Sequence, residues 1–492
     1  MTETAKKKRG MPSSFTILLA LLAIVAVITV IVSGTSGGAV TAARLSDFCT
    51  APIKGFADAL PVCLFVMILG GFLGMMTETG ALDNGIAVLV QKLKGNEIML
   101  IPVLMLIFSL GGTTYGMCEE TVPFYALLAA TMMAAGFDPM VGAATVLLGA
   151  GCGCLGSTVN PFAVGAAVDA LTGVDIAVNQ SIIIGLGAVL WIVTTVMSIV
   201  FVMNYAKKVK ADKGSTILSM QELKDAEEAH GKAASEVHKE VKLTGRQKGV
   251  LIAFAFTFVV MIVGFIPLAD LNEGVANFFD AGAVYDADGN AIVQGWSALI
   301  TGLPIGQWYF DEASTWFFLM AVLIGIIGGL SEKQIVNTFI TGAADMMSVV
   351  LVIALARGIS VLMASTGLDV YVLDAAANAL SGLSGVIFAP MSFLVYFGLS
   401  FLIPSTSGMA TVSMPIMGPL AVKLGFSPEV MVMIFSAAIG VVNLFTPTSG
   451  AIMGGLALAK IEWTTWLKFA LKLIVALSVV CAVILTVACV ML

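Results

Sequence analysis

Histidine is almost missing from this chain: among 492 residues only His230 and His238 carry an imidazole, and both stand in a polar stretch. A histidine proton relay or haem ligand within the apolar segments is thereby excluded. Charge is scarce as well, with Asp, Glu, Lys and Arg at 11% against 59% apolar residues. That balance excludes a soluble domain. The seven cysteines show no CxxC pair and no metal-ligand spacing, so they read as small packing residues. No Ser–Lys or paired-aspartate arrangement interrupts the apolar segments, which removes an intramembrane enzyme from consideration.

What remains is apolar runs of membrane length. "SFTILLALLAIVAVITVIVSG" from Ser14 and "SIIIGLGAVLWIVTTVMSIVFVM" from Ser181 reach the roughly 20 residues that cross a bilayer. The first is too long for a signal-peptide core and reads as a retained span. Lys6, Lys7, Lys8 and Arg9 precede it, Lys92 and Lys94 follow the next span, and "AKKVKADKG" opens a polar segment from Ala206. These basic ends place the N-terminus in the cytoplasm of a multi-pass protein of the cytoplasmic membrane. The stretch from Asp270 to Gly295 has no Lys or Arg and belongs outside.

The expected organisation is a cytoplasmic N-terminus (1–13), a first transmembrane repeat (14–205), a cytoplasmic loop (206–247) read as a solvated helical linker, a linking span (248–267), an extracytoplasmic loop (268–314) and a second repeat (315–492). Nine crossings are expected, near 14–33, 61–77, 138–168, 181–205, 248–267, 315–331, 347–366, 428–460 and 468–490. The third and eighth are interrupted by "GCGCLGSTVNP" and "GVVNLFTPTSG". Two further apolar stretches, about 97–135 and 386–424, carry polar tips, "GGTTYGM" and "PSTSGM". Irregular backbone at membrane depth survives only where protein or a water-filled cavity satisfies it, so both read as re-entrant hairpins.

The halves match in order. "KGFADAL" resembles "TGAADMM", "TTYGMCEETVP" aligns with "STSGMATVSMP", and "GFDP" with "GFSP", after which Ser157, Thr158, Asn160 and Pro161 face Thr446, Pro447, Ser449 and Gly450. Each repeat holds an even number of crossings, and one span lies between them, so the second copy runs upside down. The fold class is therefore an all-α polytopic membrane protein of two inverted repeats, each with a re-entrant hairpin and a broken transmembrane helix.

A broken helix leaves carbonyl and N–H groups in need of partners, and cations or substrates supply them. Thr113, Ser157, Thr158, Ser405, Ser407, Thr446, Thr448 and Ser449 are the candidate cation ligands, with sodium as the expected coupling ion and no cofactor. Thr114, Asn160 and Thr406 are candidate substrate ligands, as are three charges in apolar surroundings: Glu119, Glu120 and Arg357. Glu119 or Glu120 suits an ammonium or guanidinium; Arg357 suits a carboxylate, or pairs internally with Asp345 or a glutamate. The charges have no counterpart in the other repeat, where Thr411, Val412 and Gly70 align with them, and so suit an asymmetric substrate.

"GMCEETVPFYALL", "GSTVNPFAVG" and "TPTSGAIMGGLALA" resemble basic amino acid antiporters of the YfcC type, grouped with the anaerobic four-carbon dicarboxylate carriers, along nearly the whole chain. That resemblance implies sodium sites at the hairpin junctions, a homodimer and an elevator mechanism. The dicarboxylate carriers of the wider superfamily typically bear Ser-Asn-Thr at both tips, whereas this chain has "GTTYG" and "PSTSG". The expected activity is secondary transport of an amino acid, basic in character (arginine, ornithine or lysine), by sodium symport or exchange; the alternative is a dicarboxylate or other carboxylate carrier. The expected partners are a small-molecule substrate and the bilayer, with no nucleic acid.

Overall fold

A computed structural model describes residues 14–82, 84, 85, 88, 96–236, 242–266, 268–271, 273–286 and 291–492. Lys6 to Arg9, Lys92, Lys94 and His238 lie outside the described residues. The described chain is all-helical except for one two-stranded antiparallel pairing of Val284–Tyr285 with Ala291–Val293.

Nine described helices are long and apolar enough to cross a membrane. Seven coincide with expected spans: Ser14–Ser33, Leu60–Glu78, Gln180–Ala211, Gly245–Phe265, Phe310–Gly328, Met347–Thr366 and Trp463–Met491. The other two are Glu97–Tyr115 and Gly385–Leu402, the first arms of the stretches read as hairpins. The two interrupted spans drop out because their breaks leave helices of 17 and 15 residues, Pro139–Leu155 and Pro428–Val442.

The turns before those two broken helices are built alike. Gly136 and Gly425 adopt positive φ, +87° and +81°, and the following N–H groups, of Phe137 and Phe426, reach back to the carbonyls of Met132 and Ala421. A side chain at either glycine would be strained, and the reach-back bond satisfies carbonyls that the ending helix leaves open. Asp138 and Ser427 then cap the new helix starts, each accepting a bond from the N–H three residues on, and Pro139 and Pro428 fill a first-turn position where no N–H is needed. Both broken helices are apolar all round and nearly wholly buried, which makes them the centre of the molecule.

Around this centre the packing relies on glycine. The amphipathic helix Leu45–Asp58 crosses Met347–Thr366 where Gly55 lies on the backbone of Ala354 and Gly358. A second amphipathic helix, Glu332–Asp345, crosses Leu60–Glu78 where Gly342 lies on Gly70 and Gly71. At the centre Gly151 meets the Leu444 side chain, and Gly440 meets the backbone of Leu155. None of these sites has room for a Cβ. Lipid gives helices little hydrophobic reason to associate, so close backbone approach of this kind supplies the packing energy.

The 206–247 loop is not wholly a solvated linker. Its helix Met220–Glu236 buries Glu222, Ala226 and His230. Glu222 accepts a bond from the Glu462 N–H at 2.9 Å, and His230 Nε2 donates to the Leu458 carbonyl at 3.1 Å. Just before it, Tyr205 and Thr216 hydroxyls each donate to Asp138 Oδ2 at 2.6 Å. Composition alone read this stretch as exposed; its buried partners are distant in the chain, Asp138 well before it and Leu458 and Glu462 more than 200 residues beyond.

Candidate functional site

The first arm, Leu100–Tyr115, ends at Gly116, whose φ of +79° turns the chain, and Val122–Ala134 follows a short turn at Glu119–Thr121. The corresponding turn in the second half joins Gly385–Leu402 to Thr406–Lys423 through residues 403–405. Between these turns and the two breaks lies a cavity of about 340 Å³. It is large enough for an amino acid or a small carboxylate.

Of the candidate substrate ligands, Glu119, Glu120, Asn160, Arg357 and Thr406 line this cavity. Thr114 does not: its hydroxyl donates to Leu110 O at 2.6 Å, back into its own helix. Of the candidate cation ligands, Ser405, Ser407, Thr448 and Ser449 line the cavity, whereas Thr113, Ser157, Thr158 and Thr446 do not. Among the described residues no group of three or more His, Cys, Asp or Glu side chains is placed to hold a metal ion.

Several backbone groups freed by the first break find partners within the protein. Thr113 Oγ1 donates to Gly156 O at 2.7 Å, Thr158 N and Oγ1 donate to Thr113 O at 2.9 and 3.0 Å, and Ser157 Oγ donates to Cys154 O at 2.6 Å. Asn160 Oδ1 accepts from Phe162 N and Ala163 N at 2.9 and 3.3 Å while its Nδ2 donates to Ser157 Oγ at 3.0 Å. At the second break two indole N–H groups serve the carbonyls: Trp463 donates to Phe445 O at 2.7 Å and Trp466 to Leu444 O at 2.9 Å. Thr446 and Thr448 hydroxyls pair at 2.7 Å. Ser449 begins the helix Gly450–Leu458 without a side-chain cap bond, and Gly450, Ala451 and Ile452 of its first turn line the cavity. First-turn N–H groups have no partner within the helix and attract anions.

The glutamates differ. Glu120 is 1% exposed, and its Oε2 accepts from Cys118 N at 2.9 Å, tying it to the turn; Glu119 is half-buried. Arg357 pairs with neither glutamate nor with Asp345. Its Nε donates to Asp58 Oδ2, at the end of Leu45–Asp58. Sequence reasoning missed Asp58, although its place in "KGFADAL" opposite Asp345 in "TGAADMM" marked it as the first repeat's version of a residue already under consideration. It also missed Ser436 and Asn443, which line the cavity from an apolar helix.

Nine described helices of membrane length, with an interior cavity that charged and hydroxyl side chains help to line, describe a polytopic membrane protein. The chain belongs to the C4-dicarboxylate anaerobic carrier (DcuC) family, whose model matches residues 38–490. It is 28% identical over 445 residues to an uncharacterized protein of Haemophilus influenzae, covering 90% of this chain and 78% of that one. It is 27% identical over 440 residues to the Escherichia coli protein named "Putative basic amino acid antiporter YfcC", covering 87% and 77%. Among solved structures it is similar to the MtrF protein of Neisseria gonorrhoeae, described within a class of antimetabolite efflux pumps, at 17% identity and TM-score 0.45 over 98% of this chain and 96% of that one. It is also similar to the YdaH transporter of Alcanivorax borkumensis, at 15% identity and TM-score 0.46 over 97% and 98%. The protein is thus a membrane transporter rather than an enzyme.

Proposed function

We propose that this carrier moves a basic amino acid, such as arginine, ornithine or lysine, across the cytoplasmic membrane by sodium symport or exchange. One observation carries the reading: a single cavity is lined by Glu119 and Glu120 from one turn and by Arg357 and the open helix start at Gly450 from elsewhere. A zwitterion with a cationic side chain needs acid at one end and anion-binding groups at the other, because an unpaired charge in a low-dielectric site costs several kcal/mol. The relative named as a basic amino acid antiporter supports the same reading. The family's own description favours a second one, a dicarboxylate carrier. The tips lacking Ser-Asn-Thr count against it.

The reading includes inverted repeats with re-entrant hairpins, an N-terminus in the cytoplasm, a homodimer and an elevator motion. Reciprocal contacts support the repeats. Gly55 and Gly71 occupy positions equivalent to Gly342 and Gly358, and Gly55 meets Gly358 while Gly342 meets Gly71. Likewise Gly151 and Leu155 are equivalent to Gly440 and Leu444, and each glycine meets the other's leucine position. Exchanged partners of this kind are what a two-fold relation produces. For coupling, Ser405, Ser407, Thr448 and Ser449 are the hydroxyls a sodium ion would meet from the cavity, and Thr113, Ser157, Thr158 and Thr446 are the further candidates at the breaks.

The test is uptake of radiolabelled arginine into proteoliposomes, competed by ornithine and lysine or by succinate and fumarate, with and without a sodium gradient. Competition by the basic amino acids supports the proposal. Competition by the dicarboxylates alone would replace it with the second reading.

A further inference from the structure

The two broken helices present equivalent faces to the cavity with different chemistry. From Pro139–Leu155 come Leu147, Ala150, Gly151 and Cys154, and from Pro428–Val442 and its C-cap come Ser436, Ile439, Gly440 and Asn443. The positions match one for one, at the spacing i, i+3, i+4, i+7 that keeps side chains on one helix face. The first face is apolar, with a thiol turned to Met117 O at 3.3 Å beside the glutamate-bearing turn. The second carries a hydroxyl and an amide.

Ser436 is 2% exposed, and its hydroxyl is without a hydrogen-bond partner among the described residues. A buried serine or threonine in a helix ordinarily donates back to a carbonyl one turn earlier, as Ser400 and Thr145 do here; of the buried serine and threonine hydroxyls without a partner among the described residues (Thr195, Ser314, Ser360, Ser392 and Ser436), Ser436 is the one that lines this cavity. Ser436 forgoes that bond, although an unsatisfied buried hydroxyl is costly. Nothing in the packing of this helix requires a polar atom, since Leu147 serves at the equivalent position.

We infer that Ser436, with Asn443 two turns further along the same face, binds the carboxylate end of the transported solute. Both side chains donate hydrogen bonds, and a carboxylate accepts the strongest of them. Glu119 and Glu120 stand on the opposite repeat's turn and repel that end of the solute, and the third acid of the cavity, Asp58, is paired with Arg357. Arg357 already donates to Asp58, so its charge is shared, and neutral donors are left to complete the carboxylate's shell. The inference rests on the reading of the cavity as the substrate site and adds the residues that orient the substrate there.

Binding to the purified full-length protein in detergent or nanodiscs tests it with three ligands: arginine, agmatine, which has the same guanidinium and no carboxylate, and succinate. Ser436→Ala should weaken arginine about tenfold, as loss of one charge-assisted bond does, and leave agmatine within about twofold. Asn443→Cys, which installs the first repeat's residue, should act in the same direction. Ser436→Thr keeps the hydroxyl, should stay close to the wild type, and with Asn443→Cys carries the test if Ser436→Ala elutes as aggregate. Should the wild type bind succinate and ignore arginine, the basic amino acid proposal fails, and the inference is then read from succinate, again weakened about tenfold by Ser436→Ala. Unchanged carboxylate affinity in Ser436→Ala, equal weakening of arginine and agmatine, or no carboxylate bound by the wild type would each overturn it.

Discussion

The two helix breaks start from matching sequence and end in different states of satisfaction. At the first, Asn160 caps two N–H groups and holds Ser157, while Thr113 and Thr158 close the gap between the broken helix and the neighbouring turn. At the second, tryptophans from Trp463–Met491 serve the carbonyl side, and the N–H side opens on the cavity because Ser449 makes no cap bond. The first break spends these groups on internal pairing. The second leaves first-turn N–H groups uncapped, and groups paired internally could not also serve a ligand.

This contrast is most sharply broken by removing the caps. Asn160→Ala strips partners from Phe162 N, Ala163 N and Ser157 and should lower stability by about 2 kcal/mol, the usual cost of losing a helix cap together with a buried polar contact. Thermal unfolding of the purified protein measures it. Ser449→Ala, at the equivalent position, should leave the midpoint nearly unchanged while weakening ligand binding. Equal loss of stability in the two variants would erase the distinction.

The glutamates sharpen the comparison on the binding side. Glu119 is the less buried of the two and lines the cavity, whereas Glu120 is 1% exposed and accepts from Cys118 N. Glu119→Gln should therefore weaken arginine or lysine about tenfold, with little change for a neutral amino acid, the scale of one charged hydrogen bond. Glu120→Gln should act on the turn first, weakening all ligands together. Competition binding with arginine and a neutral amino acid separates the two.

A smaller effect belongs to His230, outside the membrane-spanning helices. Burial lowers its proton affinity below the usual histidine value, the nearby Lys460 lowers it further, and the Leu458 carbonyl works in the other direction. A depressed histidine binds fewer protons when its helix is seated, so the seating of Met220–Glu236 is complete above about pH 6.5 and weakens as pH falls below that. The protection of amides 220–236, taken relative to the intrinsic exchange rate at each pH, should fall between pH 7.5 and pH 5.5, and His230→Gln should flatten the response. Protection that is independent of pH in the wild type would remove His230 from the account.

The helices and the breaks were legible because their signals are local. Run length marks a span, Gly–Phe–Asp–Pro and Gly–Phe–Ser–Pro mark the turns into Pro139 and Pro428, and polar residues within apolar runs mark the cavity. Partners were less legible. Nothing near Arg357 in the chain points to Asp58, and nothing near His230 points to Leu458. Amphipathic helices such as Leu45–Asp58 escaped because a hydropathy window tuned to full spans averages their two faces away. Ser436 escaped because a lone serine in a membrane helix usually bonds its own backbone, and only the coordinates show that this one does not.

The most direct test of the central claim is a cryo-electron microscopy map of the full-length protein with saturating arginine. The account predicts ligand density in the cavity of about 340 Å³, its guanidinium toward Glu119 and its carboxylate toward Ser436 and the start of Gly450–Leu458. Density instead in the separate cavity of about 680 Å³ lined by Asp345 and His230, with the first cavity empty, would contradict it.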